Sequence, residues 1–425
     1  MMSPLASHAP WDRSLLAYST GGVASGLASA VPSVLLLFFC TQVLKINAFA
    51  ATVILFMPKA MAIVADPWIG SMLDRISRQP RGIFWMMGAG VILIVAGFLL
   101  VFNPPENSAT PVFFWMLGSY ALLSLGYSLY VIAHVALAPM VAQGNDLRAL
   151  WVTVRMMLVF VGILLGASIA PMIIGQAESA RSGHSMMAAW LAVICAASTV
   201  GTLSLAWKKN LLSRPLLPRR GIRGVGLKTP GLLRLCAAYL LLLIAVGIVS
   251  ASTPYLVTDI AGRGLGDVGV VMGVYLISAI ASAPLWMFAG RRFGERLTLR
   301  WALAIYALSP LLIVSAILLR ADWNWIIATY CIGGISFFAL QALPYSLASQ
   351  IAARGAAAGD IGEGAATGIW TATEKLGLAS GPVVTGLLLA QQGGASTGFA
   401  WAASSCSAAL AIAAAATLGR VGSVR

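Results

Sequence analysis

Charge is what this 425-residue chain has least of: 9% of its residues are Asp, Glu, Lys or Arg, against about a quarter in a soluble globular domain. A water-soluble enzyme or binding domain is thereby excluded. Acids are scarcer than bases, 13 against 27. The five cysteines (Cys40, Cys195, Cys236, Cys331, Cys406) fall in five separate apolar segments. They show neither metal-ligand spacing nor a disulfide framework and read as small packing residues. There is no GxxxxGK[ST] phosphate loop, and no HExxH, CxxC or GxSxG element gives a credible catalytic centre. No enzyme activity, no metal and no cofactor are expected. MMSPLASHAPWDRS at the start lacks the basic segment, short apolar core and cleavage site of a secretory signal. The first apolar segment is therefore expected to be retained.

Apolar residues are what the chain has in abundance, 60% of the total, with a mean hydropathy of +0.90. A membrane-spanning helix needs about 20 such residues in a row. Twelve windows qualify, near 15–44, 48–72, 83–103, 111–140, 150–175, 185–207, 232–260, 266–290, 299–319, 323–350, 364–390 and 397–419. The runs are continuous, whereas barrel strands alternate apolar and polar residues. The fold class is an all-α membrane protein with twelve transmembrane helices.

Of the 27 Lys and Arg, 20 fall in the N-terminus, the C-terminus and the loops after helices 2, 4, 6, 8 and 10. Four (Lys45, Arg181, Arg263, Arg320) fall in the alternate loops and three (Lys59, Arg155, Lys375) within helices. Basic loops face the cytoplasm, so both termini are expected on the cytoplasmic side of an inner or plasma membrane. The net charge of +14 is then topological, and no nucleic-acid partner is expected.

The longest hydrophilic connection, KKNLLSRPLLPRRGIRGVGLKTP at 208–230, suits a flexible basic cytoplasmic linker. It separates two six-helix halves, 1–207 and 231–425. A weak repeat supports the division. DPWIGSMLDR closes helix 2 and APLWMFAGRR closes helix 8; the offset from Pro67 to Pro284 is 284 − 67 = 217, near half the chain. Duplication of this kind belongs to secondary transporters, with a midplane site between the halves.

An ion in hydrocarbon costs at least about 2.5–3.5 kcal/mol, so ions inside spans face a cavity or a partner. Lys59 and Asp66 stand seven residues, two turns, apart on one face of helix 2. Asp66 either serves the site or anchors the cytoplasmic end through Arg75 or Arg78. Arg155 either snorkels to the interface or offers its planar fork to an anion. Lys375 lies near mid-membrane on helix 11; Glu374 beside it points about 100° away, so these two are not expected to pair. Thr371 and Gly368 lie one and two turns below Lys375. Tyr127, Tyr130 and His134 share a face of helix 4, and Gln341 and Tyr345 share one on helix 10. Pro254 and Pro344 are candidate helix breaks that would free carbonyls toward a cavity.

AYSTGGVASGLASAVPSVLLLFFCTQVLKI, ADPWIGSMLDR, RALWVTVRMMLVFVG and GEGAATGIWTATEKLGLASG together resemble the glycoside–pentoside–hexuronide:cation symporters. These form the melibiose-permease-like branch of the major facilitator superfamily. The resemblance implies two six-helix bundles around a central cavity and alternating access. It implies substrate contact for Arg155, an essential role for Lys375, and an aromatic platform at Phe338. Asp66 matches the second aspartate of the family's cation site, and Lys59 stands where arginine is frequent. Gly70, Asp74 and Arg75 match the superfamily's cytoplasmic loop, which clasps neighbouring helices. The family's other acids fall on Gly26, Ala62 and Val131.

One carboxylate among alanines makes a poor sodium site, so proton coupling is favoured over sodium. Within the helices three cations face two anions, and the surplus positive charge points to an anionic solute. The expected function is a monomeric symporter in the lipid bilayer carrying a small polar solute, a sugar or sugar acid. Substrate would meet Arg155, Lys375, Phe338, Gln341, Tyr345, Tyr130, His134 and Thr371; coupling and gating would rest on Lys59, Asp66, Asp74, Arg75, Gly70 and Glu374. A lysolipid or other amphipathic-solute carrier is the alternative, and a non-transporting receptor of transporter descent is a third.

Overall fold

In hydrocarbon a backbone amide has no water to bond, so each span must satisfy its N–H and C=O groups internally, and a helix does this within one segment. The computed structural model describes residues 13–76, 79, 81–106, 109–141, 145–209, 231–357 and 363–419. They form twelve long helical spans. α1 is Arg13–Val31, continued by π-helical stretches at Pro32–Leu36 and Phe39–Val43. α2 is Ala48–Ile76, α3 Gly82–Val101 and α4 Ala109–Val141. α5 is Asn145–Leu164, continued through a π-helical stretch, Leu165–Ile169, and the turns Ala170–Gly175. α6 is Ala180–Lys209; α7 is Leu232–Tyr255, ending in a π-helical stretch, Leu256–Ile260. α8 is Leu265–Phe293, α9 Glu295–Leu318, α10 Trp323–Ala357, α11 Glu363–Gln391 and α12 Thr397–Gly419.

Eleven of these are long and apolar enough to cross a membrane by length and composition alone. The twelfth, α11, carries Glu374 and Lys375 in its middle. The helix bounds follow the apolar windows closely. The prolines do not act as expected: α10 runs unbroken through Pro344, and α7 leaves the α form only at Leu256, beyond Pro254. Neighbouring helices can shelter the carbonyl that a proline leaves unbonded. Residues 210–230, most of the linker segment, lie outside the described residues, as does the side chain of Asp74.

The packing repeats with a period of six helices. α1 packs on α5 and α6, α3 on α4 and α6, α2 on α4. Likewise α7 packs on α11 and α12, α9 on α10 and α12, α8 on α10. Small residues make the α1–α5 and α7–α11 crossings close. A Cβ on Gly26 would lie 2.7 Å from the Ile163 nitrogen, and one on Gly247 2.8 Å from the Gly381 Cα. Contacts between the halves obey the same symmetry: α2 meets α11, α5 meets α8, and α1 meets α7. An even number of spans puts Arg13 and Gly419 on one side, called here the terminal side.

Candidate functional site

The two halves are joined mid-span by an ion pair between Asp66 of α2 and Lys375 of α11. Asp66 is ten residues from the end of α2 at Ile76, and Lys375 twelve from the start of α11 at Glu363. At about 1.5 Å per residue both lie roughly half-way through a 30 Å hydrocarbon layer. Their side chains are 18% and 22% exposed, shielded enough for the pair to feel little of bulk water. Lys375 meets Asp66 through Oδ2, while Oδ1 is buried with no hydrogen-bond partner among the described residues. Asp66 therefore takes its partner from the opposite half, not from Lys59 on its own helix. Lys59 is half-buried on the same face and has no ion-pair partner among the described residues.

A second electrostatic interaction reaches across the halves, without an ion-pair contact among the described residues. Glu374 of α11 lies in the field of Arg155 of α5. Tyr127 of α4 and Tyr345 of α10 each feel both charges. Tyr345 is 55% exposed, and its ring stands edge-on to Trp370, itself stacked on Tyr239 at 4.2 Å. Gln341 and Phe338 are half-buried on α10, Phe338 against the apolar core; Thr371 is exposed on α11.

Arg155 is nearly buried, its Nε 3.5 Å from His134 Nδ1. His134 and Tyr130 are fully buried and bond the backbone of α1: His134 Nε2 lies 2.9 Å from the Tyr18 carbonyl oxygen, and the Tyr130 hydroxyl donates to the Gly21 oxygen at 3.0 Å. Tyr130 and His134 of the α4 stripe thus face α1. Gly70 is buried and Arg75 exposed at the end of α2. Among the described residues no group of three His, Cys, Asp or Glu side chains comes together to hold a metal.

Position 26, where the resemblance implies an acid, is sealed: its Cβ would lie 2.7 Å from the Ile163 nitrogen, 2.8 Å from the Gly162 Cα, and closer still to the Val159 oxygen. Ala62 and Val131, the other two such positions, are half-buried and apolar.

Sequence reasoning missed the closure on the side away from the termini. There the Thr41 and Tyr255 hydroxyls lie 2.6 Å apart, Gln42 donates to Asp259 at 2.8 Å, and Ser168 donates to the Gly269 carbonyl at 2.7 Å. Polar and charged residues are commonplace toward helix ends, so these side chains give no pattern by which to find such contacts. Tyr18, which anchors His134 through a carbonyl, left no signal either, since a backbone acceptor is not written in residue type.

A family model described as MFS/sugar transport protein matches residues 17–418. The chain belongs to that family. As a member of the major facilitator superfamily it is an integral membrane secondary transporter and not an enzyme. The mouse sphingosine-1-phosphate transporter MFSD2B is 24% identical over 79% of this chain and 71% of its own length. The human sodium-dependent lysophosphatidylcholine symporter 1 is 24% identical over 74% of this chain and 63% of its own. The Escherichia coli glucuronide carrier protein homolog is 26% identical over 67% and 63%. The chain thus spans less than two thirds of the last two. In fold it resembles a bacterial homolog of the human lysosomal transporter Spinster, in an inward-facing and occupied conformation, at TM-score 0.73 and 12% identity over 96% of each chain. It also resembles the xylose transporter XylE from E. coli, at TM-score 0.64 and 13% identity over 95% of this chain and 97% of that one.

Proposed function

We propose that this facilitator is a proton-coupled symporter of an organic anion, moved by alternating access and seated on Arg155 and Lys375 between the halves. The observation that carries the reading is the Asp66–Lys375 ion pair, which ties α2 to α11 at mid-membrane. Asp66 and a solute anion compete for one ammonium. A proton on Asp66 removes the charge that holds Lys375 and frees it for the solute; loss of that proton returns Lys375 to Asp66 and releases the anion. Proton and anion enter together with no net charge, which spares the desolvation of a lone ion. Sodium is disfavoured: the one carboxylate already holds an ammonium, and Ala62 and Ala65 add no oxygen ligands. With basic loops cytoplasmic, the closed side is the outer one.

For the solute the sugar-acid class is favoured. Arg155 supplies a planar fork for a carboxylate, Gln341, Tyr345 and Thr371 supply hydroxyl partners, and one relative is named a glucuronide carrier homolog. A second reading, a lysolipid phosphate, is supported by relatives of wider coverage and by the apolar positions 26, 62 and 131.

Proteoliposomes separate the possibilities. With sodium absent and the outside acidic, uptake of labelled D-glucuronate is expected to follow the pH gradient and collapse with a protonophore. Uptake of lysophosphatidate instead selects the second reading. Strict dependence on sodium, or uptake of neutral sugars alone, defeats the proposal.

A further inference from the structure

We propose that His134 is the positioning residue of Arg155: it takes up the Nε edge of the guanidinium and leaves the terminal nitrogens, of which Nη1 lies 3.8 Å from the weakly accepting Met156 sulfur, to meet the solute anion. The inference rests on the reading that Arg155 receives that anion. The geometry decides the protonation of the ring. Nε2 faces the Tyr18 carbonyl oxygen at 2.9 Å, and a carbonyl has no proton to give, so Nε2 is the donor. Nδ1, 3.5 Å from Arg155 Nε, then carries the lone pair and accepts. The ring is neutral and in one tautomer. Tyr18, edge-on at 4.7 Å, and Tyr130, at 5.2 Å, pack against it, and its exposure is zero. Tyr130 and Thr202 bond the same turn of α1, at the Gly21 and Tyr18 oxygens. A ring so held does not swing to follow the arginine. Arg155 can grip a carboxylate by its Nε edge or end-on by its terminal nitrogens; with Nε taken, the end-on grip remains.

Two substitutions divide this role from a purely structural one. In His134→Gln the amide nitrogen reproduces Nε2 and keeps the bond to Tyr18, while the acceptor for Arg155 is lost. In His134→Asn the amide oxygen reproduces Nδ1 and keeps the acceptor, while the tether is lost. With D-glucuronate and lysophosphatidate as probes, the KM of the transported anion is expected to rise about tenfold in His134→Gln, the worth of one hydrogen bond to a charged group. In His134→Asn it should stay within about twofold, with maximal rate preserved in both. A structural tether predicts the reverse order, and any result in which Gln binds no more weakly than Asn overturns the proposal. Arg155→Ala separates the underlying reading: normal uptake there refutes Arg155 as the anion's seat. Independently of transport, the ¹⁵N shift of His134 Nδ1 should be that of an unprotonated acceptor and should move on Arg155→Ala; a protonated or unmoved Nδ1 also overturns the assignment.

Discussion

Replacing Gly26 by alanine tests how the site's first wall is built. The new Cβ would lie 2.7 Å from the Ile163 nitrogen and 2.8 Å from the Gly162 Cα, where carbon atoms rest at about 3.5–4.0 Å. All three nearest atoms are backbone, so no side chain can rotate away and α1 must part from α5 by about 1 Å. Overpacking of this kind costs about 1–3 kcal/mol, with the upper part of that range expected where backbone meets backbone. Alanine's better helix propensity returns about 1 kcal/mol, leaving a net loss of about 2 kcal/mol. The right comparison is Gly118→Ala on α4, where a Cβ meets nothing within 4 Å and only the propensity gain applies. Thermal melts in detergent, followed by loss of monodisperse protein, should place Gly26→Ala several degrees below wild type and Gly118→Ala at or above it. Because Val159 sits one turn beyond Arg155, pushing α5 aside also displaces the guanidinium, and anion uptake should weaken with it. Gly26→Asp, which restores the acid that the resemblance implies, should be worse still and gain no affinity for neutral sugars. If Gly26→Ala melts with Gly118→Ala, α1 and α5 do not cross as described.

The central ion pair and the closure on the side away from the termini give the remaining tests. Asp66→Asn or Lys375→Met alone leaves its partner charged and shielded, at a loss of about 3 kcal/mol or more, while the double substitution should recover much of it; a double variant no more stable than the singles in the same melts contradicts the pairing. Tyr255→Phe and Ser168→Ala each remove one hydrogen bond from that closure, worth about 1 kcal/mol. A thiol reagent entering from the side away from the termini should label a cysteine placed at half-buried Val43, whose side chain takes no part in these bonds, faster in either background; unchanged labelling would show that they do not hold that side shut.

The spans were legible because hydrocarbon leaves a chain one choice per apolar run, and twenty apolar residues are visible without neighbours. The charged residues were legible for the same reason: Lys59, Asp66, Arg155, Glu374 and Lys375 stand out against an apolar background. Partnership was not. A seven-residue spacing relates Lys59 to Asp66 on one helix, while the partner Asp66 takes lies 309 residues away, a contact set by how α2 meets α11. The α4 stripe of Tyr127, Tyr130 and His134 was visible as a face, but periodicity does not say which neighbour a face meets; α4 turns Tyr130 and His134 to α1. Pro344 misled for a related reason, since a breaker in water is tolerated within a bundle. Residues 210–230 of the linker and the Asp74 side chain lie outside the described residues.

The π-helical stretches at the ends of α1, α5 and α7 supply residues to every bond described on the side away from the termini: Thr41 and Gln42, Ser168, and Asp259 with Tyr255 just before it. A π turn stores one residue more than ordinary winding, and tightening it swivels everything downstream by roughly 100°. Three helices so jointed around a single mouth allow its lips to rotate apart while the shafts beneath keep their length and their internal bonding. Unsealing the carrier would then demand no melted helix, only the transfer of slack along three of them.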